Sequence, residues 1–363
     1  MQDTVVQEIR DLARDFAAGS LRPHVERWDR DAAVDASTLE SLAGLGFHGM
    51  LVPEEFGGLG LGLPAWTAAI EALAWGEPAV ALAVLARATT ATALLETGSR
   101  AQKTQWLEDI AAGAAAWLPL ADDLAVTASR TGAEWRLDGS LGWVLRAGEA
   151  GCALVPARSA GTTVPQGAPD LLFLVRTDAA GLSVARDTTL GLRPAVIGPI
   201  TFAGVRAGAD ALIAQGPATA FTDGRLAAVR RLGIAAVATG IARAALEHAI
   251  AYAAQREQFQ QQLRAFEGIQ FKLADMATRV DAAAALLDSA VAAPGQRVVA
   301  IAKLFASETA MWVSTQAVQI FGGYGYMRDY PVEKLMRDAK ATEMFTGTNE
   351  DLRVLIAAEL YRS

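Results

Sequence analysis

Cysteine is almost missing from this chain: Cys152 is the only one among 363 residues. An intrachain disulfide is therefore excluded, and the composition suits a reducing cytosol. Histidine is equally sparse, and His24, His48 and His248 stand far apart. No metal-ligand spacing links them, so no metal site is expected. Positive charge is in deficit, with 32 Lys and Arg against 40 Asp and Glu and a formal charge of −8. No basic run relieves that balance. Nucleic acid is a poor partner for such a chain, because nothing on it attracts phosphates. No apolar stretch reads as the ~20 residues that span a bilayer. The opening MQDTVVQEIRDLARDF is amphipathic and charged, unlike a signal peptide, and a cytoplasmic protein is expected.

What the chain does have is apolar bulk. Hydrophobic residues make up 52%, enough for two or three packed units sharing buried surface. Much of that bulk is alanine, which favours helix. Three zones follow one another. Residues 1–117 read as helical: LPAWTAAIEALAWG and SRAQKTQWLEDIAAG carry apolar residues at spacings of three and four. Glycines in VPEEFGGLG mark a loop between helices. Residues 118–222 change texture. Short apolar runs such as Leu171–Val175 alternate with Gly, Pro and Asp, and Asp138-Gly139 is a turn signal. An antiparallel β unit is expected there. Helix returns over 223–363. Ile234, Val237, Ile241, Ala245, His248 and Tyr252 form one stripe, on which His248 reads as a packing residue.

The most specific segment begins at Gln319: QIFGGYGYMRDYPVEKLMRDAKATEMFTGTNEDLR. It resembles the C-terminal signature of the acyl-CoA dehydrogenases, flavoenzymes that introduce an α,β double bond into acyl-CoA thioesters. VPEEFGGLGLG, GSRAQKTQWL, REQF and FEGIQFKLADMATR extend the resemblance over nearly the whole chain. It implies an α+β, mainly α fold: an N-terminal helical domain, a central antiparallel β barrel or sandwich, and a C-terminal four-helix-bundle domain. It also implies a tetramer, with FAD bound between subunits and an electron-transfer flavoprotein as a redox partner.

The resemblance implies cofactor contacts residue by residue. Arg256, Gln258 and Phe259 lie in the segment that reaches a neighbour's FAD, and a guanidinium can fork onto pyrophosphate oxygens. Gln319, Gly322 and Gly323 match residues beside the ADP moiety, where glycine permits close backbone approach. Thr348 and Glu350 match a segment that also lies against the cofactor. Trp143 matches the tryptophan of a Trp-Ile-Thr-Asn element at the flavin ring.

Other positions depart from the family pattern. The usual catalytic glutamate is replaced by Thr346, and a threonine hydroxyl is no base without its own activator. The family's alternative base position is occupied by Arg230, and arginine does not deprotonate in proteins. The Thr-Glu-Pro and Gly-Ser-Asp stretch is missing from Trp117–Leu124, which reads as shortened. Leu145 replaces the threonine whose hydroxyl bonds the flavin ring. Asp122 and Asp123 read as a solvated loop rather than replacement acids, and Glu343, one turn from Thr346, reads as structural.

Three functions fit this pattern. One is a base-less subunit that completes the FAD site of a heteromeric acyl-CoA dehydrogenase. Another is a homotetrameric FAD-dependent oxidoreductase acting on an acyl-CoA or acyl-carrier thioester through an atypical base. The last is a flavin-free thioester-binding scaffold.

Overall fold

The structure is a computed structural model that describes residues 2–121, 124–147, 150–161, 169–216 and 224–361. Its first unit contains α1 (Gln2–Phe16), α2 (Val25–Asp31), α3 (Ala36–Gly44), α4 (Leu63–Gly76), α5 (Pro78–Thr97) and α6 (Arg100–Ala111). Local chemistry sets these boundaries. Pro78 opens α5, and the Glu77 carboxylate caps it by accepting from the Ala79 N–H at 3.1 Å. Ser99 and Gln102 close a reciprocal capping box at the start of α6.

Eight strands follow: β1 (Ala115–Pro119), β2 (Leu124–Thr131), β3 (Glu134–Ala147), β4 (Gly151–Ser159), β5 (Leu171–Arg176), β6 (Leu182–Val184), β7 (Ile197–Ala207) and β8 (Leu212–Gln215). Sheet begins at Ala115. The alanines there carry helical propensity, but burial of every residue of β1 overrides it. The expectation of a purely antiparallel unit needs correction. β1 and β2 share one lane between β3 and β4, end to end, and both pair parallel to β4. The cause is topological: both run antiparallel to β3, and β4 reverses direction after β3. One face of the sheet buries Val126, Val155, Phe173 and Phe202. The other presents Leu118, Leu145 and Leu154 to the helices.

The third unit has three long helices, α7 (Gly224–Gln255), α8 (Glu267–Ala292) and α9 (Gln296–Phe321), then α10 (Pro331–Thr342) and α11 (Asn349–Leu360). A short ribbon, β9 (Glu257–Gln258) with β10 (Gln261–Gln262), joins α7 to α8. Two helices, Pro78–Thr97 and Gly224–Gln255, are long and apolar enough to cross a membrane, which the sequence reading did not expect. Their apolar windows are 94% and 72% buried inside the fold, as befits core helices that are hydrophobic all round.

Helix α7 approaches the first unit at two glycines. A Cβ on Gly240 would stand 2.4 Å from the Glu71 carbonyl oxygen, and one on Gly233 would stand 2.4 Å from Leu85 Cδ1. That close approach places Arg230 and Arg231 beside the sheet. Alanine at Gly240 would gain about 1 kcal/mol of helix propensity, yet overpacking against backbone costs roughly 1–3 kcal/mol or more. Gly240→Ala is therefore expected to lower the urea midpoint; an unchanged or higher midpoint contradicts this packing.

A buried and a half-buried histidine, His48 and His248, give stability a pH dependence. Burial, then the Arg87 charge, pulls His48 down to about 3. Burial, then the Arg22 charge, pulls His248 down to about 4, and its Nε2 lies 2.5 Å from the Arg22 guanidinium. His248 is thus a packed side chain, as its place on the stripe suggested. The unfolded chain protonates both near ~6.5. Unfolding therefore takes up protons below that value, and stability falls as pH drops from about 6.5 toward 4. Denaturant midpoints across that range should decline, and His48→Gln should remove about one proton of the slope.

Candidate functional site

The signature segment folds into a tight turn between α10 and α11. Helix α10 ends at Thr342, and Thr348 restarts helix through a capping box with Asp351. Below the turn lies Lys303 of α9, fully buried. Its ammonium donates to Glu343 O at 3.2 Å, Gly347 O at 2.9 Å and Asn349 Oδ1 at 3.0 Å. These bonds hold Thr346 in the left-handed region, at φ 57°. A β-branched residue there is a true outlier, costing about 1–3 kcal/mol.

Thr346 is closed off. It is 1% exposed. Its N–H donates to the Leu120 carbonyl, just beyond the end of β1, at 2.7 Å. Its own carbonyl accepts from Arg231 Nε at 3.5 Å. Its hydroxyl is buried with no hydrogen-bond partner among the described residues. Arg230, also buried, donates to the Pro119 carbonyl at 3.3 Å. The structure thus brings the two base positions together around the end of β1, and neither offers a proton acceptor to a cavity. Glu343 is no substitute: its carboxylate pairs with Lys340 at 2.5 Å. Asp122 and Asp123 lie outside the described residues.

Trp143 stands on the other side of the turn. Its φ is 38°, where β3 bulges against β7 between Leu141 and Val144. The indole is 42% exposed and meets Phe345 edge-on at 6.0 Å. Together they line a cavity of about 280 Å³ with Thr188, Thr189, Ile197 and Met344. Leu145, where a hydroxyl is expected for flavin, is buried in the helix-facing core.

A second group of residues is open to solvent. Arg256 follows the end of α7 and lies over the Tyr324 ring at 5.5 Å; among the described residues no carboxylate pairs with it. Gln258 and Gln319 are exposed. Phe259 is 87% exposed, and a Cβ on Gly322 or Gly323 would meet nothing within 4 Å. This group gathers at the joined ends of α7 and α9, where Tyr252 stacks on Phe321 at 4.0 Å. Thr348 and Glu350 do not join it. They sit at the start of α11, beside Ser307, twelve residues up α9 from Gln319, or ~18 Å of helix. Glu350 pairs with Arg353 at 3.7 Å.

An FAD would therefore meet two unequal halves on this chain. The α7–α9 group fits a phosphate-rich moiety: an uncompensated guanidinium, an amide and open glycine backbone. The ring side does not fit. Leu145 has no hydroxyl, and the amide and carbonyl nearest the base position already satisfy each other.

Some residues that set this geometry escaped sequence reasoning. Lys303 sits in α9 among small and apolar neighbours, and nothing in its local sequence marks it as buried. Lys334 is buried between Glu77 at 3.0 Å and Asp338 at 2.6 Å, and Asp338 also accepts from the Leu192 N–H at 2.6 Å. Burial pushes the Glu77 carboxyl up. Burial opposes the Lys334 charge, but Asp338 and Glu77 outweigh it and hold its pKa above the usual lysine range. This cluster ties α10 to α5 and to the segment before β7.

Comparison with known proteins agrees with the geometry. Two family models match: the acyl-CoA dehydrogenase N-terminal domain over residues 5–114 and C-terminal domain over residues 224–361. The chain is 34% identical to a probable acyl-CoA dehydrogenase, FadE25, of Mycobacterium tuberculosis, over 98% of this chain and 95% of that protein. Butyryl-CoA dehydrogenase of Megasphaera elsdenii has the same fold, with TM-score 0.90, 29% identity and 98% of each chain covered. A chain from a structure described as the electron transferring flavoprotein of Acidaminococcus fermentans is similar at TM-score 0.92 and 31% identity, covering 99% of this chain and 98% of that one.

The hold of Lys303 on the turn is testable. Replacing it with methionine removes a charged donor from three oxygens, and hydrogen bonds to charged groups contribute about 1.5–3 kcal/mol each. Methionine also avoids the ammonium's desolvation cost, which offsets part of that sum, so Lys303→Met should lower stability by roughly 2–4 kcal/mol and speed amide exchange at 343–349. A variant with wild-type stability and exchange contradicts this role.

Proposed function

This chain belongs to the acyl-CoA dehydrogenase family, and we propose that it serves there as a base-less subunit that completes the FAD site of a related, catalytic chain. The observation that carries this reading is the closure of Thr346. The position that should present a base is buried, carries no carboxylate, and spends its backbone N–H on Leu120. The opposite half supports the same reading. Arg256, Phe259, Gln319 and the Gly322-Gly323 backbone are exposed together, and among the described residues no carboxylate pairs with Arg256.

In this role the chain supplies a guanidinium and close backbone to the ADP half of an FAD held chiefly by the partner. The flavin supplies hydride acceptance in the partner's site, where an acyl-CoA or acyl-carrier thioester would lie. This chain's residues bind and orient the cofactor; they move no proton. Phe259, Phe271, Tyr326 and Met327, all more than half exposed on the same helix ends, suit an oligomeric contact. Similarity to the chain from the Acidaminococcus flavoprotein structure makes an electron-transfer flavoprotein a reasonable acceptor for the assembled complex.

Loss of several ring donors, each contributing about 0.5–1.5 kcal/mol, should weaken flavin binding by orders of magnitude. Titrating the isolated protein with FAD should give weak or no binding. Thr346→Glu should not generate acyl-CoA dehydrogenase activity, because the ring still lacks its seat. Tight, stoichiometric binding with bleaching by an acyl-CoA would overturn this reading in favour of a self-sufficient flavoenzyme.

A further inference from the structure

A second large cavity, about 760 Å³, opens where the loop before α3 and the start of α5 meet the sheet. Its apolar wall includes Leu39, Ala83, Trp117 and Pro194, and its polar wall is formed by Arg146 and Arg186. Leu145 borders it, but Thr346, Leu120, Arg230 and the Arg256 group do not.

Among the described residues, no carboxylate pairs with either arginine. Arg146 Nε is buried with no hydrogen-bond partner among the described residues. Burial, and then the neighbouring Arg186 charge, pulls the Arg146 pKa below the usual guanidinium value. Arg186 bonds only neutral backbone oxygens among the described residues, those of Ala32 and of Arg193 at 3.3 Å. Two described acids nearby face other ways. Asp35, in the loop that forms one wall, makes a two-bond pair with Arg27, and Asp187 faces the cavity under Trp143. Two like charges are thus held together, one partly buried, in a chain whose net charge is −8. Such an arrangement is unfavourable when empty and becomes favourable around an anion, which guanidinium pairs bind through forked hydrogen bonds.

We propose that this cavity is a binding site for a small amphipathic anion, with a carboxylate or phosphate head between Arg146 and Arg186 and an apolar body against Ala83, Leu39 and Trp117. Its polar wall, Arg146 and Arg186, shares nothing with the Arg256 group proposed to meet FAD, while Leu145, the position matched to the flavin ring, borders its apolar side.

Calorimetric titration with octanoate, octyl phosphate and octanol tests it. One of the two anions should bind at one site per chain, and octanol should bind far more weakly. The stronger of the two identifies the head group. Arg146→Gln should weaken binding by about tenfold or more, without lowering the melting temperature, since among the described residues the guanidinium leaves no hydrogen-bond partner behind. Ala83→Leu, which fills the apolar end and keeps both arginines, should also weaken it. No binding by either anion, binding equal to that of octanol, or unchanged affinity in both variants would overturn the proposal.

Discussion

One backbone hydrogen bond decides how this protein can act: the Thr346 N–H to the Leu120 carbonyl, at 2.7 Å. It joins the signature turn to the end of the first strand, across the space where a reaction chamber is expected. Arg230 and Arg231 reinforce the closure from α7, one on Pro119 and the other on Thr346. Lys303 fixes the turn from beneath. A left-handed threonine is strained, and this network is what makes the strain tolerable. The turn is thus held rigidly, with Thr346 at its centre and no carboxylate at that position.

Nothing comparable closes the other end of the bundle. Arg256 rests on Tyr324, the glycines after α9 face open space, and large apolar side chains stand in solvent. A protein rarely leaves a guanidinium and several aromatics exposed together without a partner surface. The contrast between a sealed interior site and an open peripheral one is what the proposed role as a contributing subunit rests on.

Much of this was legible in the sequence. The order of helix, sheet and helix followed from periodicity, and the signature from Gln319 onward identified the family. Thr346, Arg230 and Leu145 could be picked out because each differs in chemical type from the residue that the family resemblance leads one to expect there. The parallel pairing of β4 with β1 and β2 was not legible, since strand order leaves no mark on local pattern. Nor was the role of Lys303, which looks like any lysine on a helix until tertiary packing buries it. Two core helices also proved long and apolar enough to resemble membrane spans, because alanine-rich helices buried on all sides lose their polar face. The pairing of Arg146 with Arg186 depends on two segments forty residues apart, and no spacing rule connects them.

The central claim is that this chain contributes half of a cofactor site and seats no flavin ring itself. Counting flavin per chain in the complex it forms with an intact family member tests that claim most directly. The account predicts one FAD for each pair of unlike chains. One FAD per chain would contradict it, because the ring would then have a seat beside Thr346 after all.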